Sequence, residues 1–161
     1  MKYNQFLKMT LAVALCGSLI TGCSKDNDTK TDTEYPVIDV TTSDAFPKQC
    51  SELRRGTAFS AKIIVSDNAE LGSVSIDIHH NFDHHTHSTE LDDCGLDALK
   101  TPVNPFTLIK SFPIPAGNKN HMVSEEIQVP ATIDPGDYHF MIRATDREGW
   151  QTIKGLSIKI K

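Results

Sequence analysis

Between Tyr35 and Lys161 the apolar positions fall in short alternating runs separated by Pro, Gly, Asn and Asp. That is the period of strands, not of helices. Tyr35-Pro36-Val37-Ile38-Asp39-Val40 predicts a first strand, held to a sheet edge because Pro36 has no N–H to give a neighbour. Gly56 to Val65 predicts a second, ended by the turn residues Ser66-Asp67-Asn68-Ala69-Glu70. A third, Leu71 to His80, puts Val74, Ile76 and Ile78 on one face and Ser73, Ser75, Asp77 and His79 on the other. Phe106 to Phe112, Met122 to Val129, Tyr138 to Thr145 and Gln151 to Ile160 bring the set to about seven. Asp92 to Lys100 has room for one helical turn.

Strands of this number and punctuation predict an all-β sandwich. Asp134-Pro135-Gly136-Asp137-Tyr138 sharpens the expectation, because a tyrosine opening the sixth strand after such a turn resembles the tyrosine corner of Greek-key sandwiches. An immunoglobulin-like Greek-key sandwich over residues 35–161 is therefore expected. Asp146-Arg147-Glu148-Gly149 makes the hairpin turn into its last strand.

The residues ahead of this domain have another composition. Lys2 and Lys8 flank the start of an apolar stretch, Leu11 to Ile20, that has signal-peptide length and is too short to span a bilayer. Leu19-Ile20-Thr21-Gly22-Cys23 resembles the lipobox of bacterial lipoproteins, which implies a signal peptide over 1–22 and lipidation at Cys23. Acyl chains stabilise membrane attachment by about 0.8 kcal/mol per buried CH₂, so several of them hold the protein to the outer membrane. Residues 23–34 continue as a polar, acidic run without aromatics, which predicts a disordered tether. Asp and Asn soon after Cys23 also resemble the export signal of Bacteroides-type surface lipoproteins, so display outside the cell is an open expectation.

Cleavage before Cys23 removes two lysines and no acid, taking the formal charge from −5 to −7. Without a basic patch, nucleic acid is excluded as a partner. Of four cysteines, Cys16 leaves with the signal and Cys23 takes the lipid. In an oxidising compartment Cys50 and Cys94 are expected to form a disulfide. A metal-thiolate pair is the rival reading, and no CxxC spacing supports it.

Five of the seven histidines lie within His79-His80-Asn81-Phe82-Asp83-His84-His85-Thr86-His87. Short His-rich tracts bind metals, and Asp77 and Asp83 add carboxylates. Strand parity places Asp77 and His79 outward on the third strand and His139 outward on the sixth. In an immunoglobulin-like sandwich these strands are antiparallel neighbours, which sets His79 beside His139 where the loop bearing His84, His85 and His87 departs. The candidate metal ligands are therefore His79, His84, His85, His87, His139, Asp77 and Asp83, with zinc or copper as the ion. His80, of inward parity, is instead expected at the core edge. Taken singly, each of these histidines has a bland alternative as a solvated loop residue, and Asp83 as a turn cap.

The runs Ile76-Asp77-Ile78-His79-His80-Asn81-Phe82-Asp83-His84-His85-Thr86-His87 and Gly136-Asp137-Tyr138-His139-Phe140 resemble a family of Bacteroides-type lipoproteins designated domain of unknown function 4625. The resemblance implies an immunoglobulin-like fold and a lipoprotein setting, and supplies no activity.

Enzyme function is not expected. The sequence has no G-x-S-x-G, no H-E-x-x-H and no phosphate-binding glycine loop. A metal-bound water would need an open coordination position and a cleft that small sandwiches seldom offer. The expected function is a membrane-anchored binding module that captures a divalent transition metal and passes it to an outer-membrane importer. The alternatives are a glycan- or protein-binding accessory of a surface uptake complex, with Trp150 and Phe82 as aromatic platforms, and a structural spacer. The connection over 81–105 exceeds ordinary loop lengths, which points to a task or a tie.

Overall fold

The computed structural model describes residues 31–90 and 92–161. The expected signal segment, Cys23 and most of the tether lie outside the described residues. Strands β1 (Val37–Asp39), β3 (Ala58–Ser66) and β6 (Asn120–Gln128) make one sheet, in the order β1-β3-β6. Strands β2 (Ser51–Leu53), β4 (Leu71–His80), β5 (Leu108–Pro113), β7 (Gly136–Asp146) and β8 (Gln151–Ile160) make the other, in the order β2-β8-β7-β4-β5. All pairs are antiparallel except β2 with β8. This is the expected immunoglobulin-like sandwich with one strand more. Ser51-Glu52-Leu53 is too short for alternation to reveal it, and it forms because the backbone of β8 offers it an open edge.

The core lies where parity puts it. Ile63 and Val65 of β3 and Val123 and Ile127 of β6 face Val74, Ile76 and Ile78 of β4, Tyr138 and Phe140 of β7, and Leu156 and Ile158 of β8. Each such side chain contributes about 1.5–3 kcal/mol by leaving water. The Tyr138 hydroxyl donates to the Asp134 carbonyl at 2.6 Å and accepts the Phe106 N–H at 3.2 Å. The tyrosine corner thus fastens the turn before β7 to the segment entering β5.

The described residues between 81 and 105 form a strap across the outer face of the five-stranded sheet. Its imprint is visible on β7, whose first five residues are all buried before alternation resumes. One face meets the core and the other meets the strap. Asp92–Lys100 makes no helical turn. Its polar groups are bonded to other segments: Asp97 N–H donates to Asp137 Oδ2 at 2.7 Å, Lys100 N–H to the Phe82 carbonyl at 3.1 Å, and Lys159 Nζ to Asp97 Oδ1 at 2.8 Å.

Cys50 and Cys94 are disulfide-bonded across 44 positions, with their Cα atoms 5.1 Å apart. The bridge pins the strap's far side beside β2. Closing a loop of that length is worth about 4 kcal/mol of chain entropy. Replacing both cysteines with alanine should lower unfolding free energy by about 2–4 kcal/mol in urea titrations; an unchanged midpoint would show that the strap is held without the bridge.

Candidate metal centre

His79 and His139 are directly paired in the β4–β7 register, on the outer face of the sheet. Parity alone would leave both in water. The strap changes that for His139, which is only 1% exposed. The covering follows from the turn after β4. His84 N–H donates to the Asn81 carbonyl at 3.3 Å, and His84 takes a left-handed φ of 59°, which swings the chain back over the sheet. His85 then lies over His139, whose Nε2–H donates to the His85 carbonyl at 3.0 Å. Farther along, Thr89 N–H donates to the Gly155 carbonyl at 2.8 Å, so the strap also grips β8.

At Gly155 the strap sits directly on the sheet. A Cβ there would lie 1.9 Å from the His87 carbonyl oxygen and 2.8 Å from Met141 Sδ. The position tolerates no side chain while His87 keeps its place. A glycine inside a strand signals close approach of another backbone.

The strap brings His79, His85 and His87 together, with one ring nitrogen of each within 4.8 Å of the others. The His79 and His85 rings stack at 5.4 Å with 13° between planes, and His87 stands edge-on to both. His139 packs beneath, its ring centroid 5.0–5.4 Å from the other three. Nitrogens sharing one tetrahedral Zn²⁺ at 2.0–2.1 Å are about 3.3 Å apart. The three nitrogens must therefore draw closer than 4.8 Å to share one ion.

The two aspartates do not stand among the converging nitrogens. Asp77 Oδ1 accepts a hydrogen bond from His79 Nδ1 at 2.8 Å, and Asp83 Oδ1 accepts one from His85 Nδ1. Because a carboxylate only accepts, both imidazoles carry the hydrogen on Nδ1 and present the Nε2 lone pair. Carboxylates in this position fix the tautomer of metal-binding histidines and raise their basicity. The hydrogen bond from His85 also holds the Asp83 carboxyl below its usual range.

His84 is drawn away from the group, its Nε2–H donating to the Asp97 carbonyl at 2.9 Å. His80 stacks on Phe82 at the core edge, 4.9 Å between centroids. Phe82 is no recognition platform: it is buried against Tyr138. Trp150 sits at the opposite end of the sheet, after β7. Sequence reasoning passed over Gly155, which the mid-strand glycine could have signalled, and Met141. The Met141 thioether shares a groove of about 460 Å³ with His79, His87, Ile109 and Ile153. Thioethers are soft ligands that favour copper(I) over divalent ions.

His139 differs from its neighbours electrostatically. Burial, reinforced by the three adjacent imidazoles, pushes its pKa down to about 4 against the hydrogen bond to the His85 carbonyl. It is neutral at physiological pH. With the hydrogen on Nε2, its Nδ1 lone pair is buried and has no partner among the described residues. A neutral imidazole with a free lone pair is chemically fit to bind a metal.

With this geometry in place, comparison with known proteins gives the chain a family. It belongs to the family described as Domain of unknown function (DUF4625), which matches residues 21–161. No curated protein matches it. Among solved structures it is similar to Spo0M, a sporulation control protein from Bacillus subtilis, at 10% identity and a TM-score of 0.43, covering 80% of this chain and 50% of that one. The chain thus spans half the length of Spo0M. A family 123 glycoside hydrolase from Clostridium perfringens aligns at 17% identity and TM-score 0.39, over 69% of this chain and 23% of that one. A Niemann-Pick type C2 protein from Japanese carpenter ant aligns at 10% and 0.38, over 80% and 90%.

Two outcomes follow from the strap. Gly155→Ala should lift the His87 backbone and weaken zinc affinity about tenfold or more, while the far-ultraviolet dichroism stays that of a β-sandwich; undiminished affinity would remove His87 from the centre. The second concerns acid. A histidine whose folded pKa lies below 6.5 stabilises the fold above that pH and loses the contribution as pH falls toward 4. For His139 this is about 3 kcal/mol. In chelator, the melting temperature should drop between pH 6.5 and 4, and His139→Gln should flatten that drop; an identical profile in the variant would contradict the assignment.

Proposed function

We propose that the protein is a lipid-anchored binding module of the cell envelope that captures a divalent transition metal, zinc or copper, through His79, His85 and His87. The observation that carries this reading is the convergence of three imidazole nitrogens within 4.8 Å where the strap lies over β4. Asp77 and Asp83 support it by fixing two of the rings, and neutral His139 packs beneath the three ligands without adding a charge. Three side-chain ligands leave room for an exchangeable one, which suits capture and release more than permanent structural binding.

The groove beside His79 and His87 extends the proposal to a partner. Ile109 is 72% and Ile153 46% exposed along it, an apolar contact surface next to the metal. An outer-membrane importer seated there would receive the ion directly. The same groove favours the second reading, a glycan- or protein-binding accessory. The two separate in chelator, which abolishes partner capture only when metal bridges or orders the contact.

Imidazole must be neutral to bind, so acid should weaken affinity by competing for the ligand nitrogens. Calorimetric titration of the full chain with Zn²⁺ and Cu²⁺ at pH 7.5 and 5.5 is the test. Binding at the higher pH should disappear in His79→Ala, His85→Ala and His87→Ala and persist in His84→Ala. Asp77→Asn and Asp83→Asn should weaken it about 10–100-fold. Binding that ignores His79, His85 and His87 would end the proposal.

A further inference from the structure

The opposite end of β7 holds a second cluster, built wholly from oxygen. It lies about 23 Å from His139 along the strand, at roughly 3.3 Å per residue to Asp146. Asp67 follows β3, Asp146 ends β7, and Asp32 precedes β1. One carboxylate oxygen of each lies within 4.8 Å of the others.

All three carboxylates are used in the same lopsided way. Asp67 Oδ1 accepts the N–H groups of Ala69 and Glu70, both at 2.8 Å. Asp146 Oδ1 accepts those of Gly149 at 2.6 Å and Trp150 at 2.8 Å. Asp32 Oδ1 accepts Glu34 N–H at 3.1 Å and Asn68 Nδ2–H at 2.8 Å. Those bonds occupy each Oδ1 and leave the second oxygen of each residue. Asp32 Oδ2, Asp67 Oδ2 and Asp146 Oδ2 are buried, and none has a hydrogen-bond partner among the described residues. Asp67 is 8% and Asp146 4% exposed.

Three ionised carboxylates this close repel one another, and among the described residues no cationic side chain bonds their free oxygens. Arg147 Nε donates to Glu70 Oε1 at 2.9 Å, and Lys119 Nζ to the Asn68 carbonyl at 2.6 Å. Buried polar atoms are almost always paired, so three orphans in one cluster call for a common counter-charge.

We propose that Asp32, Asp67 and Asp146 bind a calcium ion that clamps the segment before β1 onto the end of the sandwich. Ca²⁺ takes 6–8 oxygens at 2.3–2.6 Å, so two of its ligands stand at most about 5 Å apart, a limit that every pair here meets. The set contains no nitrogen or sulfur to draw a softer ion. Mg²⁺ demands a tighter octahedron and gives up water reluctantly, which disfavours it. Trp150 completes the clamp: its indole N–H donates to the Asp32 carbonyl at 2.9 Å, and Tyr35 packs on its ring at 5.0 Å. With this ion bound, the residues joining the tether to the sandwich stay fixed, and the histidine pole is held away from the anchored end.

The test uses the full chain stripped with chelator. Calcium at a hundredfold excess over Kd should raise the melting temperature by about 5–10 °C. Terbium should luminesce on excitation of Trp150, the chain's one tryptophan, and calcium should quench that emission by displacement. Asp67→Asn and Asp146→Asn keep their Oδ1 caps and should lose the calcium shift. Asp32→Asn lies outside every strand, cannot unfold the sandwich, and should lose it as well. His85→Ala should keep it. An unmoved melting temperature with no sensitised emission, or a shift undiminished in Asp32→Asn, would overturn the site. An equal shift with magnesium would overturn the preference for calcium.

Discussion

A polypeptide that leaves a sheet edge ordinarily runs into solvent, because a loop laid on a sheet must find partners for its own N–H and C=O groups. The strap of this sandwich meets that demand strand by strand. It is bonded to β7 through the His85 carbonyl, to β8 through Thr89 and Gly155, and to the β2 side through the disulfide. The tightest point is Gly155, where the His87 carbonyl rests against a backbone that carries no side chain. Remove that approach and His85 and His87 leave the sheet, His139 returns to water, and nothing crowds the imidazoles. The proposed metal centre depends on this backbone contact before it depends on any histidine.

Once the strap is seated, electrostatics refines what packing assembled. Burial, with three imidazoles adjacent, keeps His139 neutral. Asp77 and Asp83 settle the tautomers of His79 and His85 and turn their free lone pairs away from the carboxylates. The bonds to Asp77 and Asp83 orient His79 and His85 ahead of any ligand, which lowers the entropy those two rings lose on binding.

The sheet was legible in the sequence because its cause is local. Alternation along Leu71–His80 and Tyr138–Thr145, joined to sandwich topology, placed His79 opposite His139, and the register pairs those two residues. The strap was not legible, because its course depends on contacts far apart in sequence. Nothing in the His84-His85 dipeptide says that the left-handed φ at His84 sends one ring to Asp97 and the next to the cluster. Asp77 and Asp83 carried the right charge for metal, yet each sits two residues from a histidine it can reach through Nδ1, and that shorter contact prevails. The aspartates at 32, 67 and 146 each looked like turn formers, and Asp32 like tether. Only the folded chain shows three turns meeting.

The two proposed sites lie at opposite ends of β7, carboxylates at one and imidazoles at the other. The claim on which the functional account stands is that His79 and His85 present unprotonated Nε2 atoms toward His87. Imidazole nitrogen NMR of the full chain at pH 7.5, before and after one equivalent of zinc, measures this directly. The account predicts that His79 and His85 carry hydrogen on Nδ1 throughout and that their Nε2 resonances, with one nitrogen of His87, shift on zinc addition. Hydrogen on Nε2 of His79 and His85, or Nε2 resonances indifferent to zinc, would contradict it.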